Sequence, residues 1–308
     1  MEYVLKTNEI SKQYGDKLAV NGVNMIVHKG DIYGLVGENG AGKTTLMRII
    51  AGMALPTTGK LELFESDDLD NARRKVGVLI ESPAVFLNMT ARENLIYFHI
   101  LMGLEDLKQI DDVLETVGLH HVGRKKVKNY SLGMKQRLGI AIALLGNPDF
   151  LILDEPINGL DVSGVKEVRD LLLKINEDFG TTILISSHIL SELSRIANRF
   201  GIIRGGVLEE EFTAEELKRC SSNCLEMSVS NVELSKQILN GLQGITDIQE
   251  TSNGMLRIFG DVYLAGNINR RLVENGVDVD RLQPVKEDLE SYYLKKNGGQ
   301  EHDSTTKS

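Results

Sequence analysis

The stretch Gly37-Glu38-Asn39-Gly40-Ala41-Gly42-Lys43-Thr44 matches the spacing G-x-x-x-x-G-K-[ST] in full. Glycines at this spacing let backbone N–H groups curl around phosphate oxygens. The start of a following helix adds the positive end of its dipole. In such a loop Lys43 is placed for the β- and γ-phosphates of a nucleotide, and the Thr44 hydroxyl, followed by Thr45, for Mg²⁺. A second stretch, Phe150-Leu151-Ile152-Leu153-Asp154-Glu155, is an apolar run that ends in two carboxylates. Asp154 is placed to reach the Mg²⁺ shell, directly or through water, and Glu155 to polarise an attacking water as general base. Adjacent acids are common in loops and caps, so this pair gains its meaning from the glycine loop.

These groups need a scaffold, and the pattern around them supplies one. An apolar run, Ile32 to Val36, leads straight into the glycine loop. The stretch after it, Lys43 to Met53, carries Leu46, Ile49 and Ile50 at helical spacing. Further strands are expected at Val76–Ile80, Phe150–Leu153, Thr182–Ile185 and Gly201–Ile203, with helical patterns between them, such as Val165, Val168, Leu172 and Ile175. Buried strands alternating with helices imply an α/β fold with a largely parallel sheet covered on both faces. Short strands are expected at Tyr3–Leu5, Leu18–Val20 and Val23–Val27, and a helical insertion at about 88–146. The Gly205-Gly206 pair reads as a tight hairpin.

A polar stretch, 209–223, reads as a boundary. Beyond it, strands at Leu225–Val229, around Ile248, at Met255–Ile258 and at Val277–Val279 alternate with helices at Val232–Leu242 and Val262–Glu274. The order β-α-β-β-α-β suggests a small ferredoxin-like α+β module. A last helix is expected over Lys286–Leu294, and a polar, disordered tail over 297–308. The domain reading is therefore 1–220, 221–296 and a tail.

Further motifs carry a family resemblance. Tyr130-Ser131-Leu132-Gly133-Met134-Lys135-Gln136 precedes the acidic strand and opens a helix with Leu138, Ala141, Ile142 and Leu145 on it. It is similar to the LSGGQ signature loop of the nucleotide-binding subunits of ABC transporters. Asn158-Gly159-Leu160-Asp161 looks like the D-loop of that family, His188 like its switch histidine, and Tyr14 like its adenine-stacking aromatic. The resemblance covers about residues 1–220. It implies a P-loop NTPase core of the RecA-like type, with antiparallel β and helical subdomains, that binds and hydrolyses ATP with Mg²⁺. It also implies that Ser131, Gly133 and Asp161 act across a head-to-tail dimer, each copy completing the other's site. One position departs from the family. Glu81 follows the strand Val76–Ile80 where members usually carry Gln, so a full carboxylate replaces a neutral amide as a candidate Mg²⁺ ligand. The Glu81-Ser82-Pro83 sequence looks like the subgroup associated with bacitracin-type resistance and lantibiotic self-immunity. A different class, a regulatory or sensor subunit that binds ATP with little turnover, is the alternative that Glu81 keeps open.

Composition bounds the partners. The 308 residues carry 35 Lys+Arg against 44 Asp+Glu, a net charge of −9, and this argues against a protein that lives on nucleic-acid phosphates. The 5% aromatics with no Trp argue against a stacking platform for single strands. Cys220 and Cys224 read as free thiols in a reducing compartment. The first residues do not form a secretory signal, and the longest apolar stretch, Leu138–Leu145, is far shorter than the roughly 18 residues of a spanning helix. By the resemblance, the missing span belongs to a separately encoded permease. The chain is then expected on the cytoplasmic face of the membrane, docked through the stretch Pro83–Asn88 with Phe86 and Leu87 as anchors. A guanine-reading Asn/Thr-Lys-x-Asp, a second phosphate loop and long heptad runs are all missing from the chain. These absences argue against a GTPase, a tandem-cassette translation factor and a chromosome-maintenance ATPase.

Overall fold

The polar residues between Lys6 and Lys12 do not interrupt the first strand. β1 (Tyr3–Tyr14) is continuous over 12 residues, longer than the Tyr3–Leu5 expected from side-chain pattern. Its main chain is paired on either side, with β2 (Lys17–Val23), β3 (Ile26–His28) and β5 (Thr58–Leu63), all antiparallel. Ladder bonds on both sides hold a strand whatever its side chains are. The strand expected over Val23–Val27 is broken. Glu9 adopts a left-handed backbone (φ 51°), and its N–H donates to the Asn24 side chain at 2.9 Å instead of to a ladder carbonyl.

The computed structural model describes residues 2–216, 224–240, 242–251, 254–260 and 264–285. The central sheet of the first unit joins β4 (Ile32–Val36), β6 (Val76–Leu79), β7 (Phe150–Leu153), β8 (Thr182–Ser187), β9 (Arg199–Arg204) and β10 (Val207–Thr213) in the order β10-β9-β4-β8-β7-β6. β10 is antiparallel, returning through Gly205-Gly206, both left-handed at φ 54° and 85°. The other pairs are parallel. β4, β7 and β8 are buried at every residue, which explains their unbroken apolar runs.

Register then decides where the chemistry goes. Val36 pairs with Ser187, and Leu153 with Ile185. β4 and β8 therefore finish level, with β7 ending just short of them, and the segments that follow them emerge at one edge of the sheet. Helices α1 (Lys43–Ile50), α2 (Leu69–Arg73), α3 (Ala91–Leu101), α4 (Gln109–Thr116), α5 (Leu132–Leu144), α6 (Val162–Phe179) and α7 (Leu190–Leu193) complete this unit. α3, α4 and α5 form the helical insertion. Leu46, Met47, Ile49 and Ile50 of α1 are fully buried in a core shared with Tyr33, Leu35, Phe150, Ile152 and Leu184. The helix behind the glycine loop is thus anchored on the strands that carry the acids.

The chain divides into two compact units, Met1–Ala214 and Glu215–Ser308. In the second, β11 (Cys224–Val229), α8 (Val232–Leu239), β12 (Ile245–Glu250), β13 (Leu256–Gly260), α9 (Ala265–Glu274) and β14 (Val279–Val285) follow in the ferredoxin-like order. The sheet runs β12-β13-β11-β14, entirely antiparallel. Leu225, Met227, Leu239, Leu256, Ile258, Ile268 and Leu272 form its own core. The last strand lies C-terminal to the expected Val277–Val279. Its polar residues are held by ladder pairing with β11, as in Ser228↔Arg281. Cys224 is buried, and its thiol donates to the Val285 carbonyl at 3.6 Å. Cys220, the helix expected over 286–294 and the tail over 297–308 lie outside the described residues.

One close approach ties β4 to β9 and β10. Tyr33 is fully buried, and its hydroxyl donates to Glu211 Oε1 at 2.7 Å. A Cβ on Gly201 would stand 2.2 Å from that hydroxyl. Gly201→Ala is expected to cost about 1–3 kcal/mol through overpacking. Adding Tyr33→Phe should recover part of that loss, because the colliding oxygen is gone. Urea midpoints of the single and double variants check this, and a double variant less stable than Gly201→Ala alone would disprove the clash.

Candidate active site

The loop from Gly37 to Gly42 connects β4 to α1, and its last residue is constrained from two directions. Gly42 has φ 110°, and a Cβ there would lie 2.5 Å from the Ala19 carbonyl oxygen of β2. Only glycine meets both conditions. No side chain caps the start of α1, whereas Thr90, Ser131 and Asp161 cap α3, α5 and α6. α1 therefore offers its positive end to the loop. The cleft there holds about 210 Å³ and is bounded by Lys17, Ala19, Asn39, Gly40, Gly42, Lys43, Thr44, Thr45 and Glu155. Lys43 is buried, and its ammonium group donates to the Gly37 carbonyl at 2.6 Å and the Glu38 carbonyl at 3.1 Å. Ala41 closes the loop, its N–H donating to the Glu38 carbonyl at 3.1 Å.

The two acids at the end of β7 meet this loop from below. The Thr44 hydroxyl donates to Asp154 Oδ2 at 2.7 Å, and the Ser186 hydroxyl donates to Asp154 Oδ1 at 2.6 Å. Glu155 has a left-handed backbone (φ 49°), and its N–H donates to Ser186 Oγ at 2.9 Å. Glu155 Oε1 stands 3.3 Å from the Lys43 ammonium, and Oε2 lies 2.8 Å from His188 Nδ1. Oε1 is buried yet has no hydrogen-bond partner among the described residues. A carboxylate held between the Lys43 ammonium and the His188 ring, with no aligned hydrogen bond on Oε1, is placed to accept a proton from a water once Lys43 turns to another anion. Lys43, Thr44, Asp154, Glu155 and His188 thus converge as the sequence implies.

The other expected residues lie elsewhere. Tyr14 ends β1, is 48% exposed, and is not among the residues bounding the cleft. The Lys12 ammonium lies 5.0 Å from its ring centroid. Ser131 caps α5, accepting from the Met134 N–H at 3.2 Å, and Asp161 caps α6, accepting from the Gly164 N–H at 3.0 Å. A Cβ on Gly133 would be 3.8 Å from the Gly164 Cα, so these two helix starts are neighbours and form a second constellation. Glu81 is left-handed (φ 63°), and its largely exposed carboxylate pairs with Arg48, one turn beyond Thr44 on α1. Sequence reasoning passed over Lys17, Arg48 and Ser186. Only Ser186 had a readable signal, since strand alternation puts it on the same side as His188. A larger groove of about 670 Å³ at the opposite edge of the sheet is lined by Asp106, Asp112, Asp149 and Asp178. Four carboxylates there would repel a polyphosphate.

This arrangement, an open phosphate loop over a braced carboxylate, has counterparts in known proteins. Residues 20–158 match the model of the ABC transporter family. The chain is 43% identical over 302 residues to the bacitracin transport ATP-binding protein BcrA of Enterococcus faecalis, covering 97% of this chain and 98% of the relative. It is 42% identical over 216 residues to the lantibiotic transport ATP-binding protein SrtF of Streptococcus pyogenes, covering 69% of this chain and 93% of the relative. Among solved structures, it resembles an ATP-binding cassette captured as a dimer in a post-hydrolysis state bound to ADP and Pi. There the TM-score is 0.61 at 26% identity, over 68% of this chain and 98% of that one. With the site geometry and these likenesses together, the chain belongs to the ABC transporter family, as an ATP-binding subunit that hydrolyses ATP.

Proposed function

We propose that this subunit drives a separately encoded membrane permease that exports, or confers resistance to, an antimicrobial peptide or drug. The observation that carries the catalytic part is Glu155, gripped by Lys43 and His188 at the end of the phosphate cleft. The γ-phosphate of ATP competes for Lys43, which at present serves its own loop carbonyls and Glu155. Release of Lys43 leaves the Glu155 carboxylate to polarise the attacking water, with His188 holding Oε2. Thr44 and Asp154 offer hard oxygen donors suited to Mg²⁺, and both would hold it. When bound, Mg²⁺ neutralises charge on the β- and γ-phosphates. Tyr14, at the rim, is the candidate to stack on adenine.

Two surfaces support the partners. Leu132 is 51% exposed and Val162 90%, directly beside Ser131 and Asp161. Apolar residues at two neighbouring helix starts suit cover by a second copy, and a head-to-tail C₂ dimer would bring Ser131 and Gly133 to the partner's ATP. Phe86 and Leu87 are exposed on the loop that follows Glu81, and Phe86 stacks edge-on against Tyr97 of α3 with centroids 4.6 Å apart. That loop is the candidate permease contact. No helix among the described residues is long and apolar enough to cross a membrane. Membrane attachment on the cytoplasmic face is therefore assigned to the permease.

Glu155→Gln should keep ATP binding, lower turnover by about 10²–10⁴-fold, and leave an ATP-stabilised dimer visible by light scattering. Normal ATPase activity in that variant would remove Glu155 as the base. Glu81→Gln should change the hydrolysis rate or its stimulation by permease while ATP affinity moves less than about twofold, because its exposed pair with Arg48 is weak. Equilibrium binding of a fluorescent ATP analogue separates the two effects. Phe86→Asp should abolish co-purification with the permease without touching basal hydrolysis, and unchanged co-purification would move the docking site elsewhere.

A further inference from the structure

Ser186 is fully buried, at 0% exposure, and its single oxygen serves both acids of β7. It donates to Asp154 Oδ1 at 2.6 Å and accepts from the Glu155 N–H at 2.9 Å. The register explains this. Leu153 pairs with Ile185 across the parallel ladder, so the next step sets Ser186 beside Asp154. Two residues on, His188 reaches Glu155 from the same side of the strand. Ser186 at the end of β8 and His188 just beyond it therefore grip the successive acids that follow β7.

We propose that Ser186 is a positioning residue for ATP hydrolysis, acting through Asp154 and Glu155. Rotation of an aspartate carboxylate about its last torsion is intrinsically soft, with broad minima. Asp154 cannot swing here because each oxygen has its own donor, Ser186 on Oδ1 and Thr44 on Oδ2. The hydroxyl of Ser186 thus selects which oxygen faces Thr44 and the divalent cation. Its second bond holds the amide of Glu155 in a left-handed conformation that an L-residue adopts only under constraint. That conformation aims the Glu155 carboxylate at Lys43 and His188. The inference rests on the roles proposed above for Asp154 and Glu155.

The test uses the full-length chain and the variants Ser186→Ala and Ser186→Thr. Mn²⁺ affinity in the presence of a non-hydrolysable ATP analogue, read by electron paramagnetic resonance, should fall about 10-fold in Ser186→Ala and be largely restored in Ser186→Thr, as for other groups that orient a metal ligand. kcat should fall with it, while analogue affinity without metal stays within about twofold, because the phosphate loop is untouched. Without nucleotide, the Glu155 amide should exchange its hydrogen faster in Ser186→Ala, having lost its acceptor. Wild-type Mn²⁺ affinity and wild-type Glu155 exchange in Ser186→Ala would overturn the proposal, even if the melting temperature dropped. The two readings fail separately: a Glu155→Gln protein with normal turnover removes the base, whereas the Mn²⁺ readout on Ser186 depends on Asp154 alone.

Discussion

The site depends on one constraint, the shared register of three parallel strands. β4 and β8 end level at Val36 and Ser187, and β7 ends just short of them because Leu153 pairs with Ile185. A slip of a single residue in β7 would turn Asp154 to the opposite face of the sheet, away from Thr44. The full burial of these strands fixes that register, since any slip would also move apolar side chains against the wrong neighbours. α1 is tied into the same framework by four fully buried side chains. The phosphate loop, the paired acids and His188 are therefore positioned by the hydrophobic core, and their own hydrogen bonds supply only the final alignment.

Within that frame the polar groups satisfy one another. Thr44, Asp154 and Ser186 form a continuous chain, and the Glu155 amide joins it at the serine. Lys43 is neutralised by two carbonyls and a carboxylate rather than left bare. In the mechanism proposed above, binding of ATP exchanges these partners of Lys43 for the γ-phosphate. Such an exchange would favour a phosphate placed to replace the contacts that Lys43 gives up.

Much of this was legible in the residues. The glycine loop, the acidic strand end and the helical insertion each had a pattern tied to a physical need, and all appear where their spacing implies. β1 runs beyond its apolar residues because its polar residues are held by main-chain pairing on two sides, which leaves no periodic signal. The last strand of the second unit extends past its apolar residues for the same reason. Arg48 was invisible because its partner, Glu81, is 33 residues away and their meeting depends on how α1 lies across β6. Lys17 and Ala19 reach the cleft only through the packing of one sheet near another, and nothing in local sequence announces that.

The pairing of Arg48 with Glu81 differs in kind from the chain beneath it. Both partners are substantially exposed, at 38% and 62% of their side chains. Asp154, by contrast, is buried, and Thr44 is partly so. Mobile ions screen the first contact over a Debye length of about 8 Å at physiological ionic strength but barely reach the second. The link between α1 and the loop bearing Phe86 is accordingly soft toward salt, while the link between α1 and the catalytic strand is not. The ionic composition around the subunit can thus loosen the contact of α1 with Glu81 without disturbing that of Thr44 with Asp154.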